Sequence, residues 1–213
     1  MADLESIVQP LRKLLEAKSG VRDNTLTRSR ELIRLCANSI RATHRTEFET
    51  ARGLLAQARE LGGQMQADIA DHPDLYYTGY TQDALKEYAE ACITLAVVTD
   101  APIPDAQALG VEPAAYLNGL AEAMGEMRRH ALDLIRQDQV DRAEAVLAIM
   151  DEAYWQLVTV DFPDAITGHL RRNTDMVRGV LERTRADLTT SQEQLRLRQA
   201  ISRFEATLHA DSD

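Results

Sequence analysis

Residues 85–98 read Leu-Lys-Glu-Tyr-Ala-Glu-Ala-Cys-Ile-Thr-Leu-Ala-Val-Val. The run is small and apolar, yet it opens with two acids, Glu87 and Glu90. A second stretch, Ala114 to Met127, has Glu122 and Glu126 as its only charges. Positions three or four apart share one face of a helix, so each pair presents two carboxylates side by side. Buried carboxylates without a partner are costly, and two together repel. A divalent cation is the simplest positive partner. The competing reading turns these acids outward on amphipathic helices, paired with Lys86, Arg128 or Arg129.

The surrounding composition predicts an all-α protein. A chain of 213 residues with ten Gly and six Pro is rich in Ala, Leu, Glu, Gln and Arg. No Val/Ile/Thr run alternates with period two, and such a composition favours helix. Apolar spacing predicts helices over about 3–18, 24–43, 46–70, 81–99, 113–136 and 138–159, then one long helix or two over 164–208. Leu4, Ile7, Val8, Leu11, Leu14 and Leu15 form the stripe of the first. Asp71-His72-Pro73-Asp74 and Ala101-Pro102-Ile103-Pro104 read as breaks. Gly110 closes a short turn after Ala106–Leu109, and Pro113 sits at a first-turn position. The tail His209–Asp213 is expected to fray. No fixed repeat or Gly/Ser linker appears, so the expectation is a single domain, 1–213, of about seven helices.

Two cysteines, Cys36 and Cys92, cannot make a disulfide framework and read as small core residues of a reducing compartment. The opening Met-Ala-Asp-Leu-Glu lacks a basic region followed by an apolar stretch, so no signal peptide is expected. No apolar run approaches the ~18 residues of a membrane span. These readings predict a soluble, cytoplasmic protein.

The net charge of −10 is unevenly spread. Residues 22–59 carry eight Arg against four acids, and residues 166–204 carry the same. Residues 68–161 hold eighteen acids against five bases. Arginine outnumbers lysine 21 to 3, and its planar fork suits phosphate. The base composition of a genome, which favours arginine codons without any function, is the preferred explanation of that ratio taken alone.

Acid spacing alone says little: Asp68/Asp71, Asp138/Asp141 and Asp141/Glu144 recur at the same interval and read as solvated faces. Apolar flanks set Glu87/Glu90 and Glu122/Glu126 apart. Di-iron bundles use Glu-x-x-His motifs, which are missing here. An oxygen-only ligand set suits magnesium, with manganese or calcium as further candidates. The chain has no G-x-S-x-G, H-E-x-x-H, glycine-rich phosphate loop or C-x-x-C. Its five histidines are scattered singly.

At this point a resemblance emerges. Leu85-Lys86-Glu87-Tyr88-Ala89-Glu90-Ala91 resembles an L-Q-E-Y-V-E-A segment of the translin-associated factor X branch of the translin family. Tyr116–Arg129, Tyr-Leu-Asn-Gly-Leu-Ala-Glu-Ala-Met-Gly-Glu-Met-Arg-Arg, is similar to that branch's Y-L-L-G-V-A-D-L-T-G-E-L-M-R. Leu170-Arg171-Arg172-Asn173-Thr174-Asp175-Met176-Val177, followed by Glu182, resembles a pattern shared with translin itself. Order and spacing agree from about Tyr76 to Ala200.

The resemblance implies a translin-type helical fold assembling into a hollow homo-oligomer, an octamer with a hexamer as the alternative. It implies a metal-dependent endoribonuclease acting on single-stranded RNA, with single-stranded DNA as a further ligand. Glu87, Glu90, Glu122 and Glu126 fall on the catalytic, metal-binding acids, with Mg2+ expected and Mn2+ an alternative. Glu122 replaces an Asp, which alters reach by one methylene. Arg129 matches an arginine after the second pair. The basic cluster with which translin binds nucleic acid would fall near Tyr76–Gln82, which is uncharged here. Arg30, Arg34, Arg41 and Arg45, with Arg129, are the candidate nucleic-acid residues instead. The three tyrosines are expected to cap a helix junction rather than stack on bases. The chain fits an archaeal or other prokaryotic member that builds its shell from one kind of subunit. The alternative is a non-catalytic binder of RNA or single-stranded DNA, and a third reading is a structural helical oligomer with solvated acids.

Overall fold

The computed structural model describes residues 3–210, the side chains through 207, and every regular element among them is helical. The order is α1 (Leu4–His44), α2 (Phe48–Asp68), α3 (Pro73–Tyr76), α4 (Gly79–Val98), α5 (Ala106–Leu109), α6 (Pro113–Arg136), α7 (Val140–Val158), α8 (Asp164–Thr167) and α9 (Leu170–Ala210). Asp211–Asp213, part of the expected frayed tail, lie outside the described residues, whereas His209 and Ala210 continue α9.

Local chemistry sets most ends. Pro73 opens α3 and Pro113 opens α6, where the missing N–H would have no helical partner. Asp105 caps α5 by accepting from the Ala108 N–H at 2.7 Å, and Gly110 closes it at φ +67. Gly168 and His169, at φ +56 and +69, separate α8 from α9. The expected break between 18 and 24 does not occur, because α1 runs through it as one helix of 41 residues. A lone interior glycine, Gly20, costs only about 1 kcal/mol relative to alanine, too little to end a helix held by its neighbours.

The chain divides into two compact units, Met1–Leu120 with Ala165–Gly168, and Ala121–Asp164 with His169–Asp213. In the first, α1, α2 and α4 pack together. Leu32, Cys36 and Ile40 of α1 join Ala51, Leu55, Ala58 and Met65 of α2 and Ala84, Leu85, Tyr88 and Ala89 of α4. The alanines let the helices approach closely, and the larger side chains supply the burial that stabilises the unit. Asn118, 4% exposed, donates from Nδ2 to the Ala114 and Thr167 carbonyls at 2.8 and 2.7 Å, tying α8 to its helix.

In the second unit α7 packs on α9. Met150 and Leu157 of α7 and Val177, Leu181 and Leu188 of α9 are buried. Arg185 Nη2 donates to both oxygens of Asp151 at 2.6 and 2.8 Å, and Gln192 Nε2 donates to Glu144.

Candidate metal centre

The site begins at a close helix crossing in the first unit. A Cβ built on Gly119 of α6 would stand 2.7 Å from the Lys86 carbonyl oxygen, 2.9 Å from Ala89 Cβ and 3.0 Å from the Glu90 backbone nitrogen. Only hydrogen fits there, so the α6 backbone rests directly on the turn of α4 that carries Glu87 and Glu90. Neighbouring Leu85, Tyr88, Ala89 and Ala91 are buried, which holds that turn in place. Glu90 is itself buried at 9% exposure, and Glu87 is half-buried.

Glu122 stands one turn beyond Gly119 on the same unbroken helix and takes its place from that crossing. One carboxylate oxygen from each of Glu87, Glu90 and Glu122 lies within 4.8 Å of the others. Three of the four acids singled out in the sequence therefore come together. Glu126, a further turn along α6, is outside that group, and its Oε2 lies 4.0 Å from Arg129 Nη1.

Lys86 Nζ sits 3.5 Å from Glu87 Oε1. Arg128 is engaged in the second unit, with Nη1 donating to Thr184 Oγ1 at 3.2 Å and Nη2 to Asp187 Oδ2 at 2.8 Å. Asn173 of α9 reaches Glu122 Oε1 from Nδ2 at 3.5 Å. Sequence reasoning did not single out Gly119 or Asn173, although both lie in the segments that carried the resemblance.

Three carboxylate oxygens at this spacing make a hard-donor set that fits a small divalent cation. Thiols take no part in it. Burial raises both cysteines, Cys92 up to about 11 and Cys36 well above its ordinary value, and the nearby Glu87 and Glu90 carboxylates add to the rise at Cys36. Both therefore stay protonated at neutral pH, and a protonated thiol is a poor ligand.

Arg30, Arg34 and Arg41 are exposed on α1, and Arg45 is exposed at its C-cap. Spacings of four, seven and four residues keep all four on one stripe of the helix. Arg34 pairs with Glu31 at 3.0 Å, and Arg41 Nη2 donates to Asn38 Oδ1 at 2.5 Å. Arg45 binds both oxygens of Glu47 at 2.8 and 2.9 Å, which holds that carboxyl below its usual range. Arg129 is exposed on α6.

The segment Tyr76–Gln82 joins α3 to α4. The Tyr76 and Tyr77 rings meet edge to face at 5.0 Å, and the Tyr76 hydroxyl lies 3.3 Å from Glu112 Oε1. The Thr78 and Thr81 hydroxyls both donate to the Leu75 carbonyl, at 2.7 and 3.0 Å. These contacts fasten a helix junction.

No family model matches this sequence. The uncharacterized protein MJ0175 of Methanocaldococcus jannaschii is 30% identical over 196 residues, which span 91% of this chain and 86% of that protein. Among solved structures, AfC3PO in complex with duplex RNA is 31% identical with a TM-score of 0.81, and AfC3PO alone is 31% identical with a TM-score of 0.80. Each match covers 88% of this chain and 97% of the other. Apo-NeC3PO shares the fold with a TM-score of 0.76 at 19% identity, over 90% of this chain and 98% of the other.

Proposed function

This chain belongs to the translin family, and from that premise we propose that it is a divalent-metal-dependent endoribonuclease acting on single-stranded RNA. The observation that carries the reading is the approach of Glu87, Glu90 and Glu122 at the glycine crossing of α4 and α6. These three would hold the cation, magnesium with manganese as the alternative, and Glu126 stands a turn away to complete or adjust the ligand set. A magnesium ion bound there would supply Lewis-acid chemistry to a phosphodiester and offset the charge on its oxygens.

The chain's own residues do the rest. Bare carboxylates repel a phosphate backbone, so acid neutralisation is a condition of substrate entry. Asn173 orients the Glu122 carboxylate through its amide. Arg129, exposed one turn past Glu126, holds a neighbouring phosphate or the departing oxygen. The stripe of Arg30, Arg34, Arg41 and Arg45 grips the strand by its phosphates and steers it without reading sequence. The protein works as a cytoplasmic homo-oligomer, an octamer with a hexamer as the alternative. No described helix is long and apolar enough to cross a membrane.

A second reading is a non-catalytic binder of RNA or single-stranded DNA. The arginine stripe favours it, since those residues bind phosphate with or without a metal.

Labelled single-stranded RNA, with duplex RNA in parallel, separates the two. Magnesium is expected to give cleavage products, while EDTA or Glu90→Gln is expected to abolish them and leave the gel shift. Cleavage that survives both EDTA and Glu90→Gln sinks the metal-centre reading. A salt-sensitive shift with no cleavage in magnesium selects the binder.

A further inference from the structure

Every residue from 3 to 17 is exposed, so the first turns of α1 stand clear of the unit they belong to. The helix joins that unit at Lys18, whose Nζ pairs with Asp74 Oδ2 at 2.5 Å. Six large apolar side chains line the free part: Leu4 at 68% exposure, Ile7 at 54%, Val8 at 46%, Leu11 at 55%, and Leu14 and Leu15 at 68%. Their spacing places all six within one face. A stripe this long, with hydrophobic residues three and four apart, is the pattern of a helix that pairs with another helix.

We propose that the Leu4–Leu15 face of α1 is an interaction surface for the same face of a second copy of this chain, the two helices running antiparallel. The charges select both the occupant and the direction. Glu5 and Arg12, seven residues apart, lie on the same flank of the stripe, and among the described residues neither is ion-paired. A parallel pair would set Glu5 against Glu5 and Arg12 against Arg12. An antiparallel pair sets Glu5 of each copy near Arg12 of the other, twice over, and opposes the two helix dipoles. One residue off those charge pairs, the apolar layers stack Leu4 beside Leu14 and Ile7 beside Leu11, in both directions, as a two-fold interface requires.

The free end of α9 offers the main contrast. Leu197, Ile201 and Phe204 are also exposed there. Arg196, Arg198 and Arg203 stand beside them with Glu193 and Glu205, and Arg198 Nη1 is paired with Asp138 Oδ1 at 3.4 Å, so that end lacks the single opposed pair of the α1 face.

The inference rests on the reading that the chain self-assembles, and the test separates the two. Light scattering or sedimentation gives the mass of the full chain at micromolar concentration. Ile7→Glu combined with Leu11→Glu is expected to lower the mass at least two-fold and leave the helical circular dichroism intact, because neither side chain packs within the chain. Glu5→Arg and Arg12→Glu are each expected to shift the dissociation midpoint about tenfold to higher protein concentration, roughly the weight of a favourable charge pair. The double exchange Glu5→Arg/Arg12→Glu is expected to restore it. An unchanged mass in the glutamate variant, or failure of the double exchange to restore the midpoint, overturns the seam while leaving self-assembly standing. A monomeric unaltered chain overturns both.

Discussion

A methyl group at position 119 would press into the backbone of α4, 2.7 Å from one carbonyl oxygen and 3.0 Å from one amide nitrogen. Backbone atoms cannot rotate aside as a side chain can, so the helices must part. Gly119→Ala gains about 1 kcal/mol of helix propensity, but overpacking costs roughly 1–3 kcal/mol, and the second effect prevails. Urea unfolding of that variant is expected to show a lower midpoint. Its magnesium affinity is expected to fall too, since the displaced turn carries Glu87 and Glu90. A variant as stable as the parent, with unchanged metal binding, contradicts this account of the crossing. At this scale the sequence was partly legible. Glu87 and Glu90 were visible as acids in apolar company, because spacing and neighbours are local properties. Gly119 was not, since its importance depends on what a second helix brings against it. That Glu87, Glu90 and Glu122 form one close group was equally hidden, because spacing along a helix fixes a face but not the distance to a partner helix.

Among the elements, α1 carries three jobs along one axis: a free apolar end, a central packed face and a basic stripe. Its core side is set by Leu32, Cys36 and Ile40, so the arginines four and seven positions apart are turned outward. Each phosphate held by such a residue adds about 0.7 to the salt slope for a single strand. Replacing Arg30, Arg34 and Arg41 together with alanine is therefore expected to flatten the slope of log affinity against log salt by about 2. Fluorescence anisotropy of a labelled strand across a salt series gives that number. An unchanged slope places the strand elsewhere. Prolines and capping residues made most helix ends readable, as at Pro73, Gly110 and Pro113. The join of the first two expected helices was not, because a weak interior stretch persists when both flanks propagate helix through it.

For the molecule as a whole, two neutral thiols sit inside the first unit. Burial raises both, so the folded chain keeps their protons to a higher pH than the unfolded chain does. The stability they contribute is full below the ordinary thiol value of 9.0 and declines as pH rises above it, through about 11 for Cys92. In EDTA, the unfolding midpoint is expected to drop between about pH 9 and about pH 11, the interval between the unfolded and folded values of Cys92. Cys36→Ala/Cys92→Ala is expected to drop less over the same window. Equal declines in the two proteins would assign the alkaline loss to other groups. Composition alone had already marked these cysteines as core residues, since two thiols among apolar neighbours have little else to do.

The crossing at position 119 also divides the glycines of this chain by their freedom to drift. Gly20, Gly53 and Gly63 sit within helices with nothing inside 4 Å of where a side chain would begin. Those codons can wander to alanine, and a lineage that does so grows sturdier helices. The codon for 119 has no such latitude, so homologous chains should keep its third-base changes and discard the rest.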